Sequence, residues 1–313
     1  MQFRDRYTLL NLIKLCGKEK NLWKARELHA DVVKQNLIAK DVYIATALIT
    51  AYGKCGALHE ANEVFEQISV RDVVSWSALI GGYAQNGLGH EALECFRDMQ
   101  NVGVCPNPVT YVHVLKACGI VRSLEIGKDI DAEVRKQGLL EKDVVLGTAL
   151  VGMYSKCGAM AKAREVFEQL PNRNAVSWSG LIAGYAQNGF GDEALKCYKQ
   201  MKDAGVSPDA VTYICTLKAC AIVGSLEIGE HIDAEVRKQG LLQKDVVLGN
   251  ALVDMYAKCG ALEKAQALFE QLPKRNVVSW NALITGYAQN GLGDEALKCF
   301  KQMRNVGVCP DKV

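Results

Sequence analysis

Residues 175–209 read AVSWSGLIAGYAQNGFGDEALKCYKQMKDAGVSPD, and this stretch decides the fold because it returns along the chain. In its first half apolar residues recur at helical spacing, and Ser177 stands where a helix N-cap is expected. Gly189 and Gly191 interrupt that pattern, and Asp192 is expected to cap a second helix. The stretch therefore predicts a helical hairpin whose apolar stripe has to be covered by further hairpins.

The chain repeats itself with a period of 102 residues. Residues 108–209 and 210–311 align without a gap and differ at 28 of 102 positions, and residues 6–107 keep the same register with more divergence. Each copy divides again into units of 36, 31 and 35 residues. The predicted units are 6–41, 42–72, 73–107, 108–143, 144–174, 175–209, 210–245, 246–276 and 277–311.

This periodicity predicts an all-α protein, a right-handed α-solenoid of nine helix-turn-helix repeats in three long-short-standard triplets. Residues 1–5 then form a short N-terminal leader, the array covers 6–311, and residues 312–313 follow it. No apolar stretch is long enough for a transmembrane helix, and the N-terminus does not read as a signal peptide. The net charge of +2 argues against nucleic-acid binding that is dominated by charge.

Motifs that would carry chemistry have simpler explanations in the repeat. The twelve cysteines fall almost entirely into repeat phases and contain no C-x-x-C pair, so we expect packed thiols at helix crossings. The G-L-G-x-x-A sequence that begins at Gly87 follows a helix instead of a strand and is interpreted as a turn. The five histidines do not recur, and we expect them at surface or edge positions. We expect no enzymatic activity, no cofactor and no metal site.

Tryptophan occupies one phase of the repeat, at Trp76, Trp178 and Trp280. Two interpretations are open: a platform on which RNA bases stack, or a packed core aromatic at the start of the first helix. The core is favoured because Tyr111 and Tyr213 hold the same phase in the 36-residue units.

Two positions vary among otherwise similar units and are candidates for selective recognition. The fifth residue is polar in the 31- and 35-residue units, where the last residue is Asn or Asp. These short side chains suit the edges of bases, although capping and turn formation use the same residue types. Capping explains the last position well and the fifth poorly, because the fifth lies inside the predicted first helix. The fifth/last pairs are Thr46/Asp72, Ser77/Asn107, Thr148/Asn174, Ser179/Asp209, Asn250/Asn276 and Asn281/Asp311.

The units resemble pentatricopeptide repeats, and the alternation of 36, 31 and 35 residues is similar to the plant PLS subclass. The phrases VSWNALITGYAQNGLGDEALKCFKQM and DVVLGNALVDMYAKCGALEKAQALFEQLP carry the resemblance, which covers residues 6–311. Tetratricopeptide repeats are the nearest array that could be confused with it, but they keep 34 residues and bind peptides.

The resemblance implies binding of single-stranded RNA, one base per repeat, with the N-terminus toward the RNA 5′ end. Following the family's code, the six polar pairs imply the target 5′-NGANAGN(C/U)U-3′, which is a hypothesis. The long repeats depart from the code, because an apolar fifth residue cannot form a hydrogen bond with a base; their pairs are Leu10/Asp41, Val112/Asp143 and Ile214/Asp245.

The family also implies a second residue that wedges between bases and a lysine that contacts phosphate. The wedge position holds Tyr7, Tyr43, Val74, Val109, Val145, Val176, Val211, Val247 and Val278. The lysine phase is the thirteenth residue of each short unit, at Lys54, Lys156 and Lys258, where a cation also suits a helix C-terminus. The standard units carry Gln85, Gln187 and Gln289 there, so we expect a shallow salt dependence.

Proteins of the PLS subclass usually specify sites of C-to-U RNA editing in mitochondria or chloroplasts. Neither H-x-E nor C-x-x-C, the zinc signatures of deaminase-like domains, occurs in this sequence. We therefore expect an RNA-recognition tract that is monomeric and not bound to a membrane. The first repeat begins at residue 6, so we expect no transit peptide in this chain. The alternative is a scaffold on which the long and short repeats bind an editing cofactor protein.

Overall fold

The computed structural model describes residues 5–310, and every regular element in that range is an α-helix. Within these residues no helix is both long and apolar enough to cross a membrane. The chain forms two compact units, Met1–Pro171 and Asn172–Val313. The first unit holds α1 (Arg6–Glu19), α2 (Leu22–Lys34), α3 (Val42–Cys55), α4 (Leu58–Glu66), α5 (Val73–Gln85), α6 (Gly89–Asn101), α7 (Pro108–Val121), α8 (Leu124–Lys136), α9 (Val144–Lys156) and α10 (Met160–Gln169).

The second unit holds eight helices in the same alternation. They are α11 (Ala175–Gln187), α12 (Gly191–Asp203), α13 (Ala210–Val223), α14 (Leu226–Lys238), α15 (Val246–Lys258), α16 (Leu262–Gln271), α17 (Val277–Gln289) and α18 (Gly293–Asn305). The odd-numbered helices begin at the first residue of each predicted repeat unit.

Each unit is a stack of helical hairpins in two layers. In the first unit the odd-numbered helices pack on one another in chain order, and each even-numbered helix packs on its own partner. Helices α2, α4, α6 and α8 also pack on the next odd-numbered helix. The second unit is built in the same way from α11 to α18. A hairpin buries its apolar stripe only between its neighbours, which is the defining property of an α-solenoid. This arrangement confirms the predicted α-solenoid class.

Glycine allows consecutive first helices to approach closely. Where α3 crosses α5, a Cβ atom added to Gly53 would lie 3.0 Å from the Cα atom of Gly82. A Cβ atom on Gly17 of α1 would lie 3.0 Å from the Cα atom of Ala51 in α3. Any larger side chain at these crossings would push neighbouring hairpins apart.

The three tryptophans of this repeat position lie in the core, which confirms the favoured interpretation. Trp76, Trp178 and Trp280 are only 4–5% exposed. Trp76 packs edge-to-face on Phe65 with ring centroids 4.7 Å apart, and Trp280 packs on Phe269 at the same distance. These rings are therefore core aromatics and are not accessible for stacking on RNA.

The cysteines and histidines follow the expectations only in part. Cys16, Cys118 and Cys220 are buried in first helices, whereas Cys105 and Cys309 are exposed. His59, His90 and His231 are exposed, but His29 and His113 are half-buried, so the expected surface position is wrong for these two. Gly81 is the reason at His113, because a Cβ atom there would lie 2.8 Å from the imidazole Nε2. No cluster of metal-ligating side chains occurs in the part of the chain that the structure describes.

Two predicted helix starts are wrong by a few residues. Helix α11 begins at Ala175, and its N-cap is Asn174, whose side chain accepts a hydrogen bond from the backbone N–H of Ser177. Ser177 is therefore the third helical residue, and its hydroxyl is buried. Helix α12 begins at Gly191 without a side-chain cap, so Asp192 lies inside its first turn, where an acidic side chain favours the helix dipole.

Candidate nucleic-acid interface

The second residue of every hairpin is apolar and exposed. All nine lie in the first turn of an odd-numbered helix, with exposed fractions between 51% for Val74 and 74% for Tyr7. In the first unit they are Tyr7, Tyr43, Val74, Val109 and Val145, and in the second Val176, Val211, Val247 and Val278. Single exposed apolar residues are ordinary, but one at the same place in each repeat gives each unit a regular apolar row. Their role as wedges between bases stays a prediction.

The last residue of each repeat caps the next first helix. Asp72 accepts hydrogen bonds from the N–H groups of Val74 (3.1 Å) and Ser75 (2.8 Å), both through Oδ1. Seven other last residues of the described chain cap in the same way: Asp41, Asn107, Asp143, Asn174, Asp209, Asp245 and Asn276. This confirms the capping interpretation of the last position. Asp311 lies outside the described residues.

Capping leaves the second polar atom of each last side chain for another partner. The atom that faces the helix must accept hydrogen bonds from N–H groups. In both residue types this atom is Oδ1, because the amide nitrogen of asparagine can only donate. The remaining atom is Oδ2 in aspartate, which only accepts, and Nδ2 in asparagine, which only donates. Asp and Asn therefore present opposite hydrogen-bonding characters at the same place. At Asp41 the side chain also bonds to Arg6, and that hydrogen bond lowers the pKa of Asp41.

The fifth residues differ in how far their polar atoms are already engaged. Ser77, Ser179 and Asn250 are 4–6% exposed and bond to neighbouring polar groups. Thr148 is half-buried, and its hydroxyl donates to the carbonyl oxygen of Val144 at 2.8 Å. Thr46 is also half-buried. Asn281 is half-buried, and so are the apolar fifth residues Leu10, Val112 and Ile214 of the long repeats.

One cavity brings the different kinds of predicted contact residue together. It has a volume of about 260 Å³ and lies between the first helices α1, α3 and α5. Its walls include the Thr46/Asp72 pair, the second residues Tyr43 and Val74 of two consecutive repeats, and Lys54. The walls of the cavity therefore combine a polar pair, two second-residue side chains and a cation.

The members of three other predicted pairs are connected by hydrogen bonds, and those of a fourth pair lie in different compact units. Ser77 and Asn107 are linked through Thr110, Ser179 and Asp209 through Thr212, and Asn250 and Asn276 bond directly at 3.2 Å. Thr148 belongs to the first compact unit and Asn174 to the second.

The predicted phosphate contacts are exposed lysines at the ends of first helices. Lys54, Lys156 and Lys258 all lie in the last turn of α3, α9 and α15. The Nζ atom of Lys258 is 2.8 Å from Asp254 Oδ2, one turn earlier in the same helix. This ion pair reduces the charge that Lys258 offers to a phosphate.

Sequence reasoning missed one set of residues, the third residue of the hairpin that follows a polar pair. Thr110, Thr212 and Ser279 are fully buried hydroxyls that contact both members of the preceding pair. A signal for them was present, because a Ser or Thr three residues after an Asn or Asp cap is typical of a reciprocal capping arrangement. All three form such a capping box.

The fold and these repeated caps define the chain as an array of helical-hairpin repeats. Two family models match it: the PPR repeat family over residues 71–119, 173–222 and 275–313, and the PPR repeat over 43–73, 148–174 and 250–277. Between them the models cover more than half of the sequence. The chain belongs to the pentatricopeptide repeat family.

Several curated relatives come from Arabidopsis thaliana. A chloroplastic pentatricopeptide repeat-containing protein is 40% identical over 86% of this chain, and a mitochondrial one is 33% identical over the same share. The chain spans 43% of the length of each, so it covers less than half of these relatives.

Solved structures show the same fold. A crystal structure of the pentatricopeptide repeat protein PPR10 in complex with an 18-nt psaJ RNA element matches with a TM-score of 0.76. The match covers 98% of this chain and 46% of that protein, at 21% sequence identity.

Proposed function

We propose that this chain binds single-stranded RNA through the first turns of its first helices, one base to each repeat. The observation that carries the proposal is the cavity that contains Tyr43, Thr46, Asp72, Val74 and Lys54. A base in it would stack against apolar side chains, meet the polar pair with its Watson–Crick edge, and leave its phosphate near a cation. The similarity to PPR10, which was crystallised with RNA, supports the same class of ligand.

The last residue divides the four bases into two classes. Guanine and uracil carry an imino N–H on their Watson–Crick edge, and adenine and cytosine carry a ring nitrogen that accepts. An aspartate such as Asp72 or Asp209 offers an acceptor beyond its cap and selects G or U. An asparagine such as Asn107 or Asn276 offers a donor and selects A or C.

The fifth residue then selects by size. Serine or threonine leaves room for a purine, whereas the longer asparagine at Asn250 or Asn281 reaches toward a smaller pyrimidine. Combined with the last residues, this gives the target 5′-NGANAGN(C/U)U-3′, read with the N-terminus of the protein at the RNA 5′ end. Leu10, Val112 and Ile214 contribute packing and spacing without base choice.

We further propose that this tract specifies an organellar site of C-to-U editing. The support is the alternation of 36-, 31- and 35-residue units, which is similar to the PLS subclass, and relatives that are named chloroplastic or mitochondrial. Loss of the protein should then leave a particular cytidine unedited, which sequencing of mitochondrial and chloroplast transcripts would detect.

Fluorescence polarisation with labelled nine-nucleotide RNAs tests the binding proposal. The probe is 5′-UGAUAGUCU-3′, and the comparison RNAs are its reverse sequence and a scrambled sequence. We expect each mismatched base to weaken binding about tenfold, the range typical of a lost base-edge contact. Equal affinity for the target and the scrambled RNA would overturn sequence-specific recognition, and tighter binding of the reverse sequence would overturn the polarity.

A further inference from the structure

A buried hydroxyl connects the two residues of a predicted base-reading pair. Thr110 is the third residue of the repeat that follows the Ser77/Asn107 pair, and it is 0% exposed. Its Oγ1 atom lies 2.7 Å from Ser77 Oγ and donates to Asn107 Oδ1 at 3.0 Å. The backbone N–H of Asn107 donates back to the same hydroxyl at 3.2 Å.

The second unit contains the same arrangement around Thr212. Its Oγ1 atom lies 2.7 Å from Ser179 Oγ and donates to Asp209 Oδ1 at 2.7 Å. The hydroxyl is again 0% exposed. The link therefore occurs with either Asn or Asp as the last residue.

A third link uses serine in place of threonine. Ser279 Oγ lies 2.6 Å from Asn250 Oδ1 and 3.1 Å from Asn276 Oδ1. The amide Nδ2 of Asn250 also donates to Asn276 Oδ1 at 3.2 Å. These contacts fix which end of the Asn250 carboxamide faces the cap, so only one orientation of its donor and acceptor remains.

The polarity of the third residue correlates with that of the fifth residue in the preceding repeat. Where the fifth residue is polar, the third residue of the next repeat is Ser or Thr: Ser75, Thr110, Ser177, Thr212 and Ser279. Where the fifth residue is apolar, the third residue of the next repeat is apolar as well: Ile44, Leu146 and Leu248. Three of the five hydroxyls, those of Thr110, Thr212 and Ser279, contact the fifth residue of the preceding repeat. Ser75 and Ser177 donate instead to the backbone carbonyl oxygen of their own cap residue.

The Thr46/Asp72 pair differs and supplies a control. Ser75, the third residue of the next repeat, donates its hydroxyl to the backbone carbonyl oxygen of Asp72 at 2.9 Å. It is as deeply buried as Thr110, at 0% exposed. Among the described residues no hydrogen bond connects the Ser75 side chain with Thr46. Removing this hydroxyl therefore disturbs the helix start without loosening the pair.

We propose that the third residue of the following repeat is a positioning residue for base choice, acting at Thr110, Thr212 and Ser279. The inference rests on the proposed RNA-binding function. The hydroxyl holds the last side chain with its capping oxygen toward the helix and engages the fifth side chain from behind. Without it Asn107 keeps only the capping bond from the backbone N–H of Thr110, and Ser77 keeps only its bond to the carbonyl oxygen of Val73 at 2.6 Å. The two side chains are then held separately, and their donors and acceptors are fixed less firmly toward the base.

The test compares binding of two RNAs that differ only at the third base, A or G, by the full chain. Thr110→Val keeps the shape and removes the hydroxyl, and should reduce the preference for A about threefold to tenfold, the effect of one lost hydrogen bond. Thr110→Ser should restore the preference. Ser75→Ala, the matched control, should leave the preference for G at the second base unchanged.

The outcomes distinguish failure of the proposed RNA-binding function from failure of the positioning role. If wild-type protein does not distinguish A from G at the third base, both the proposed base recognition and the positioning role are overturned. If the wild type distinguishes them and Thr110→Val does so equally well, only the positioning role is overturned. A uniform loss of affinity for both RNAs would likewise show a purely structural role. Should Thr110→Val fail to fold, Ser279→Ala with C or A at the eighth base gives the same test in the second unit.

Discussion

The carboxamide of Asn86 joins two consecutive hairpins: its Nδ2 atom donates to the carbonyl oxygen of Gly53 at 2.7 Å and to that of Gly82 at 2.8 Å. Asn290 repeats this in the second unit, with Ala257 at 3.0 Å and Gly286 at 2.8 Å. The two carbonyl groups belong to the last turns of neighbouring first helices, at the close crossing. One side chain thus satisfies groups of two repeats and fixes how far one hairpin slides on the next.

We expect Asn86→Ala to lower the free energy of unfolding by about 1–2 kcal/mol, since two hydrogen bonds are lost at a helix end. Urea unfolding followed by circular dichroism measures the change. Gln85→Ala, at an exposed neighbour in the same turn, is the control and should stay within about 0.5 kcal/mol of wild type. A loss for Asn86→Ala no larger than for the control would contradict the bridging role.

The regularity of the sequence explains why the fold was predictable. A 102-residue period and paired helical patterns leave few ways to bury the apolar stripes other than stacking hairpins. Helix starts were less predictable, because Asn174, Ser177 and Asp192 are all chemically suitable caps and only the backbone geometry decides among them.

The sequence predicted which residues form the candidate site, but not all of the hydrogen bonds that connect them. The repeat phase identified Ser77 and Asn107 as varying residues. The capping spacing predicts that Thr110 bonds to Asn107, but nothing local in the sequence places it against Ser77. That contact depends on how closely α5 and α7 approach. His113 was missed for a similar reason, because its half-buried place depends on a glycine in another helix, Gly81.

His113 should make the first unit sensitive to mild acid. Burial lowers its pKa below the ordinary value, and the nearby Lys116 lowers it further. The unfolded chain, with a histidine pKa of about 6.5, then binds more protons than the folded chain below that pH. Stability is full above about pH 6.5 and falls as the pH decreases toward the folded-state pKa of His113.

Urea unfolding at several pH values between 5 and 8 measures this effect, and His113→Cys should make the curve flatter. Cysteine is the residue at the equivalent position, Cys215, in the next long repeat, so the packing has a precedent. Some pH dependence should remain, because burial also lowers the pKa of His29 in the same unit. An identical slope in wild type and variant would assign the sensitivity to groups other than His113.

Salt should weaken RNA binding only modestly. With three lysines near phosphates, the logarithm of the binding constant should fall with the logarithm of salt concentration at a slope of about −2. Lys54→Gln and Lys156→Gln, which copy the glutamines of the standard units, should each reduce the slope by about 0.7. Lys258→Gln should change it less, because Asp254 already pairs with Lys258. Equal effects of all three substitutions would show that this ion pair opens when RNA binds.

The sharpest prediction exchanges the last residues of two matched repeats. Ser77/Asn107 and Ser179/Asp209 share the same fifth residue and are each followed by a threonine, Thr110 or Thr212. Asn107→Asp should change the preference at the third base from A to G, and Asp209→Asn should change the sixth base from G to A, each by about tenfold. Stability should change little, because Asn and Asp cap helices equally well.

Four RNAs with A or G at the third and sixth bases, titrated against wild type and both variants, measure these preferences by fluorescence polarisation. The double variant should prefer G at the third base and A at the sixth, the reverse of wild type. Each single variant serves as the control for the other, because its unchanged repeat should keep its original choice. If a folded Asn107→Asp protein still prefers A, the atom that Asn107 leaves beyond its cap does not select the base, and base choice must reside elsewhere in the repeat.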